Sequence, residues 1–280
     1  MSSASAKISA VTKRAAYLFA TLLIVSAWHR EKTPTFSSPV YDGFESAQLS
    51  AIWRTDKLAT GAVELQSEIV RTGRLAAKIT IRQHDRFTAA DAAGNRGANA
   101  NERDELTERP DLLTAEDQPV RYAFSFFIPR DFPIVPTRLV LAQWKQKDSD
   151  HTARRDNPVV ALRYENGTLS ITTQTGEAKI TRYSTTEDIR GRWLDFTFDL
   201  RFSKSSDGFL IARINDVPVV SFHGPTTYDG SYGYPPPGTF YFKMGLYRDS
   251  MEAPMTAYFD EYRKRLLTNA EIAAATTPAP

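Results

Sequence analysis

The sequence has no cysteine. Disulfides, thiolate metal centres and a cysteine nucleophile are thereby excluded, and thiol usage is silent about redox compartment. An excess of one charge is also missing: 35 Lys and Arg stand against 33 Asp and Glu, a formal net charge of +2. No basic stripe outruns its acidic neighbours, which removes the electrostatic footprint of a nucleic-acid binder. Long helical periodicity and internal repeats are absent, which argues against helical bundles and solenoids. Histidine is scarce, with four residues in all, so proton-transfer chemistry has few imidazoles to draw on.

What is present is short-range alternation of apolar and polar residues from Val40 to Leu267, interrupted by turn signals such as Asn166-Gly167, Asp207-Gly208 and Asn215-Asp216-Val217-Pro218. The pattern predicts strands over 62–70, 75–83, 101–107, 121–129, 138–146, 159–165, 168–174, 193–202, 208–215, 239–248 and 255–264. It implies an all-β chain folded as a two-sheet β-sandwich, with one domain over 41–267. Ahead of it, Lys13 and Arg14 precede the apolar run Ala15 to Ala27, ending in Val25-Ser26-Ala27. This reads as a signal peptide or anchor over 1–27, hence a secreted, periplasmic or membrane-anchored protein. Residues 28–40 read as a polar linker and 268–280 as a disordered tail. Two long loops, 86–100 and 224–238, are of a size often given to function.

Three predicted strands carry chemistry. In Thr239-Phe-Tyr-Phe-Lys-Met-Gly-Leu-Tyr-Arg248, period-two alternation puts Phe240, Phe242, Met244 and Leu246 on a core face. Tyr241, Lys243, Gly245 and Tyr247 take the other face, where the bare Gly245 is expected to leave room for a ligand. In 138–146, Gln143 and Lys145 share one face, opposite Val140, Ala142 and Trp144. In 101–109, Asn101, Arg103, Glu105 and Thr107 align; the arginine fork suits a carboxylate, with Glu105 placed to hold that arginine.

Taken in order, Arg103-Asp-Glu-Leu106, Gln143-Trp-Lys145 and Tyr241-Phe-Lys-Met-Gly-Leu-Tyr247 resemble the strands of the jelly-roll polysaccharide lyases, in their alginate-lyase branch. The group of glucuronan lyases and heparin lyase I looks more similar, adding likeness at Phe126-Phe-Ile-Pro129, at Ser203 to Phe209 and at Tyr258-Phe-Asp260, over roughly 41 to 265. The resemblance implies a concanavalin-like jelly roll with a concave groove for an acidic polysaccharide, and β-elimination without a cofactor. No protein partner is implied, and the chain is read as a monomer. It further suggests a structural calcium held by Glu45 and Asp260, weighed against ordinary surface carboxylates. Two departures matter. The family histidine is replaced by Lys145 and a second arginine by Thr107, so either another base serves or activity is altered or lost. His84, His151 and His223 are the substitutes to consider.

On this reading Arg103, Gln143 and Lys145 or Lys243 neutralise a uronate carboxylate, and Tyr247 serves as acid, or as acid and base together. Lys145 is the base if desolvated, and Asn101, Glu105, Tyr241, Arg248 and Tyr234 contact substrate. Two alternatives stay open: a non-catalytic carbohydrate-binding protein, and a glycoside hydrolase using carboxylates from Glu102, Asp104 and Glu108.

Overall fold

The computed structural model describes residues 35–85, 101–148, 151–234 and 236–276, all within one compact unit. The expected signal segment and the 86–100 loop lie outside these residues. Alternation builds two eight-stranded sheets. The first contains β1 (Val40–Asp42), β3 (Val63–Gln66), β4 (Ala76–Ile81), β7 (Val120–Phe127), β12 (Trp193–Arg201), β13 (Phe209–Ile214), β14 (Val217–His223) and β16 (Met255–Leu266). Its order is β14-β13-β12-β7-β16-β4-β3, with β1 on β16. The second contains β2 (Trp53–Arg54), β5 (Asn101–Glu108), β6 (Thr114–Ala115), β8 (Leu139–Gln146), β9 (Val160–Glu165), β10 (Thr168–Thr173), β11 (Ile180–Thr185) and β15 (Thr239–Asp249). It runs β11-β10-β9-β8-β15-β5-β2, with β6 on β15. All the pairings are antiparallel.

Between the sheets lies one aromatic core. Trp144 packs 4.5 Å from Phe198 and 4.9 Å from Phe242, ring centre to ring centre, and Phe124 stacks with Phe196 at 5.5 Å. The register follows from the turns. Asn166-Gly167 and Asn215-Asp216 close two-residue hairpins with all four φ angles positive, which matches the strand twist.

The eleven expected strands are all present, and five more appear that the alternation did not single out. β1, β2 and β6 are too short to show a period, while β11 is a mostly polar edge strand. β14 begins at Val217-Pro218, which reads locally as turn; a register shift beside Pro218 on this edge strand accommodates the ring. The expected linker and tail are corrected in part. Phe36 is buried, and its amide donates to the Leu113 carbonyl at 3.0 Å. Residues Asn269–Thr276 form a helix, α1, opened by a reciprocal cap between Thr268 and Glu271. Ala275 packs with Phe209, Ile211 and Leu267, covering the outer face of β13.

One buried ion pair joins the sheets. Lys264 of β16 donates to both carboxylate oxygens of Glu108 on β5 at 3.1 Å and also to the Leu112 carbonyl. Tyr262 donates to the same carboxylate, and the Phe242 amide reaches it at 3.1 Å. Burial pushes the Glu108 pKa up and that of Lys264 down. Lys264→Met should lower the unfolding free energy by about 3–5 kcal/mol near neutral pH, because an unpaired carboxylate stays buried. In urea titrations the loss should shrink at pH 4, where Glu108 takes up a proton; equal losses at both pH values would contradict this account.

Candidate functional site

β15 lies between β5 and β8 in the second sheet, and its phase decides what each neighbour presents. Phe240, Phe242, Met244 and Leu246 are fully buried toward the core. On the outer face Tyr241 stands opposite Lys145, and Lys243 lies between Thr107 and Gln143. Gly245 faces Glu105, while Tyr247 lies between Arg103 and Val140. Asn101, Arg103, Gln143, Lys145, Lys243 and Tyr247 therefore line one cleft of about 520 Å³, together with Arg138, Val140, Asp156, Asn157, Pro158, Arg163, Gln174, Lys179 and Asp249. A second hollow of about 370 Å³ shares Lys243 and Asp156 with it and is also lined by Arg54, Lys57, Lys147, His151 and Tyr241.

Gly245 has a different task from the one expected. Its φ is +143°, and an added Cβ would lie 2.2 Å from the Asp104 carbonyl oxygen. The missing side chain lets β5 press against β15 rather than making room for a ligand. The register of β15 on β8 shifts between Met244 and Tyr247, and that of β8 on β9 between Val140 and Ala142. As a result Leu141 joins the core and Val140 turns to the cleft, against the simple alternation.

Glu105, 1% exposed, organises the cleft floor. It accepts from Gln143 Nε2, and its other oxygen lies 3.6 Å from Lys243 Nζ; the expected hold on Arg103 is not among its contacts. Lys243 is itself buried, and burial lowers its pKa, helped by the cations of Lys145 and Arg103 and opposed by Glu105. Lys145 pairs with Asp156 at 2.6 Å. The Tyr247 ring is flanked by guanidiniums, with Arg103 Cζ 4.4 Å and Arg138 Cζ 4.5 Å from its centroid. Burial holds the Tyr241 phenol above its ordinary pKa, with Lys243 Nζ 5.7 Å from its ring.

Several expected site residues lie elsewhere. Arg248 falls on the inner phase of β15, wholly buried, donating to Glu102 at 2.8 Å and to the carbonyls of Ala253 and Met251; it cannot meet substrate. Tyr234 is buried against Tyr228, and its hydroxyl donates to the Arg155 carbonyl at 2.6 Å. Its loop braces the segment that carries Asp156. Glu102, Asp104 and Glu108 all take the inner phase of β5 and are buried; only Glu108 borders a hollow, the second one, so the hydrolase carboxylates do not form a pair across a cleft. Among the histidines of the described residues His151 alone lines either hollow; His223 ends β14 in the other sheet. The expected calcium ligands do not fit that role. Glu45 accepts from the amides of Arg74 and Leu75, and Asp260 from those of Arg71, Thr72 and Glu261. Among the described residues no three acidic or histidine side chains gather as a metal site. Missed by sequence were Arg138, Arg163, Asp156 and Lys179, all lining the cleft. Only the phase of Arg138 and Arg163 relative to Gln143 could have shown them, and the register shifts on β8 break that phase.

Cations, amides and a phenol thus line one cleft on the outer face of the second sheet. The chain belongs to the polysaccharide lyase family, whose model matches residues 40–263. It is similar in fold to an endo-β-1,4-glucuronan lyase from the fungus Trichoderma reesei, at 16% identity and TM-score 0.61, covering 83% of this chain and 97% of that one. A second similar structure is alginate lyase Aly36B bound to an alginate tetrasaccharide, at 7% identity and TM-score 0.56, covering 83% and 98%. No curated protein matches the sequence. The chain is thus an enzyme of the polysaccharide lyase class.

Two outcomes follow from the geometry. Gly245→Ala should lower stability by about 2 kcal/mol or more, since both φ and the β5 backbone oppose a side chain; an unchanged melting temperature would refute that. Asp104 has its pKa pushed up to about 8 from 3.8, chiefly by burial, although the Ala59 amide donates to it. Its folded pKa is raised, so the stability it contributes is complete below pH 4 and is lost as pH climbs to about 8. Asp104→Asn should therefore gain on the wild type through that window in thermal melts, and a constant difference would count against burial as the cause.

Proposed function

We propose that this lyase cleaves a uronate-containing polysaccharide by β-elimination. The observation that carries the reading is the convergence of Arg103, Gln143, Lys243 and Tyr247 on one cleft from three adjacent strands. In such a step the C5–H bond breaks, its electrons form the C4=C5 double bond, and the C4–O4 bond breaks as O4 takes a proton. A charged carboxylate at C5 opposes the first event, so Arg103, Gln143 and Lys145 neutralise it as enolate density builds. Tyr247 gives the proton to O4, and the flanking guanidiniums of Arg103 and Arg138 offset the negative charge left on its oxygen. Lys145 is engaged by Asp156, whereas burial favours the neutral amine on Lys243. Lys243 is accordingly assigned as the base, and Glu105 beside it stabilises the ammonium that forms. This answers the absence of the family histidine at position 145 without calling on His84, His151 or His223.

Glucuronan, alginate, heparin and bacterial acidic exopolysaccharides form the test panel, read by the near-ultraviolet absorbance of the unsaturated uronate. Tyr247→Phe should cut kcat by about a hundredfold to ten-thousandfold; equal turnover removes it from the mechanism. The kcat/KM profile should rise with pH as Lys243 loses its proton, below the 10.5 of an ordinary lysine, and Lys243→Met should abolish that limb. The replacement of the family histidine by Lys145 favours one rival, a binding protein without turnover, which would hold these polymers and release no unsaturated product.

A further inference from the structure

The 520 Å³ cleft holds more positive charge than one carboxylate requires. Six cations line it, Arg103, Arg138, Lys145, Arg163, Lys179 and Lys243, against the carboxylates of Asp156 and Asp249, in a protein whose net charge is only +2. Arg163 is one of the cleft cations that, among the described residues, lack an acidic partner. Its Nε donates to Thr172 Oγ1 at 3.0 Å, yet among the described residues no carboxylate pairs with it. By contrast Arg138 in the same cleft, and Arg121, Arg190, Arg201 and Arg213 outside it, each meet an acidic partner within 2.9 Å. Burial and the nearby Arg138 lower the Arg163 pKa to about 10, a sign that the guanidinium lies where a compensating anion is wanted.

Its neighbour Arg138 does have an acidic partner. Arg138 pairs with Asp249 at 2.7 Å and donates to the Asn101 side-chain oxygen. Asn101 is 2% exposed, and its amide nitrogen has no hydrogen-bond partner. Register separates Arg163 from the cleft floor. Arg163 is opposite Val140, which is opposite Tyr247, which is opposite Arg103. With strands about 4.8 Å apart, Arg163 stands about 10 Å beyond Tyr247, on the side away from Arg103. Gln143 and Lys243 face each other four residues from Tyr247 along β15. The two sets of donors flank the phenol from different directions.

We propose that Arg163, with Arg138 beside it, forms a second anion site, which binds the acidic group of the sugar next to the one being cleaved and so sets the demand for charge on adjacent residues. The assignment rests on the β-elimination reading for what is cleaved, but the anion site itself is defined by binding. A carboxylate or a sulfate ester would satisfy the same donors.

The test compares wild type, Arg163→Gln and Arg163→Lys by calorimetry and steady-state kinetics. The ligands are a contiguous glucuronate oligosaccharide, a chain alternating uronate with a neutral sugar, and the alternating chain with sulfate on that sugar. For the contiguous ligand Arg163→Gln should weaken Kd and raise KM by about tenfold to a hundredfold, the range for a charged hydrogen bond, with kcat within about threefold. Arg163→Lys should recover part of the loss. The neutral-neighbour chain should show no change, and a penalty on the sulfated chain alone would identify sulfate as the group bound. Because Arg163→Gln removes a half-buried cation that has no carboxylate partner among the described residues, its melting temperature without ligand should stay level or rise, which a supporting role in the fold would not give. Unchanged Kd on every anionic ligand, or a loss confined to kcat, overturns the proposal. Failure of the wild type to form unsaturated product would sink the elimination reading, yet a Kd shift at Arg163 would still uphold the second site.

Discussion

The arrangement of the cleft depends on a carboxylate that water scarcely reaches. Glu105 sits opposite Gly245, and without a side chain there β5 and β15 approach closely enough to bring its oxygens to Gln143 and Lys243. In a poorly solvated place such a charge has few ways to be satisfied, so it fixes the amide and draws the ammonium inward. Lys243 feels the opposite pull from burial and from the cations around it. Burial is the larger of these pulls, so the lysine's pKa lies below its ordinary value although Glu105 raises it.

The second constraint is phase. On β5 and β15 alternate residues face either a core or a cleft, and the inner phase is unusually polar: Glu102 with Arg248, Asp104 beneath the Ala59 amide, and Glu108 with Lys264. These groups look like chemistry in the sequence. Each instead makes its contacts inside the sandwich, where ion pairs tie β5 to β15 and β16 and one amide ties Asp104 to the segment at residue 59. This is why a hydrolase reading fails on geometry, although its carboxylates share a strand face as expected.

Much of this was legible beforehand, because period-two alternation over eight or more residues is a strong signal. The outer faces of β5 and β15, with Arg103, Glu105, Lys243 and Tyr247, read correctly from spacing. What escaped had local causes. Val140 turned outward because the register slips on both sides of β8, and a one-residue slip inverts the face of what lies beyond it. Arg138 and Arg163 were invisible for the same reason. Arg248 continued the run of cations in sequence but not in space. Tyr234 looked like an exposed loop aromatic, yet it packs against Tyr228, since three tyrosines close together bury better with each other than with solvent. The α1 cap, Thr268 to Glu271, was a readable signal masked by Ala, Thr and Pro on either side.

The position of α1 bears on handling the protein. Its apolar contacts are with Phe209 and Ile211 on the outer side of β13, in the sheet that does not carry the cleft. A resin, a fluorophore or a fused carrier attached through this helix would leave the face that carries the cleft unobstructed, so an immobilised molecule would offer that cleft as freely as one in solution.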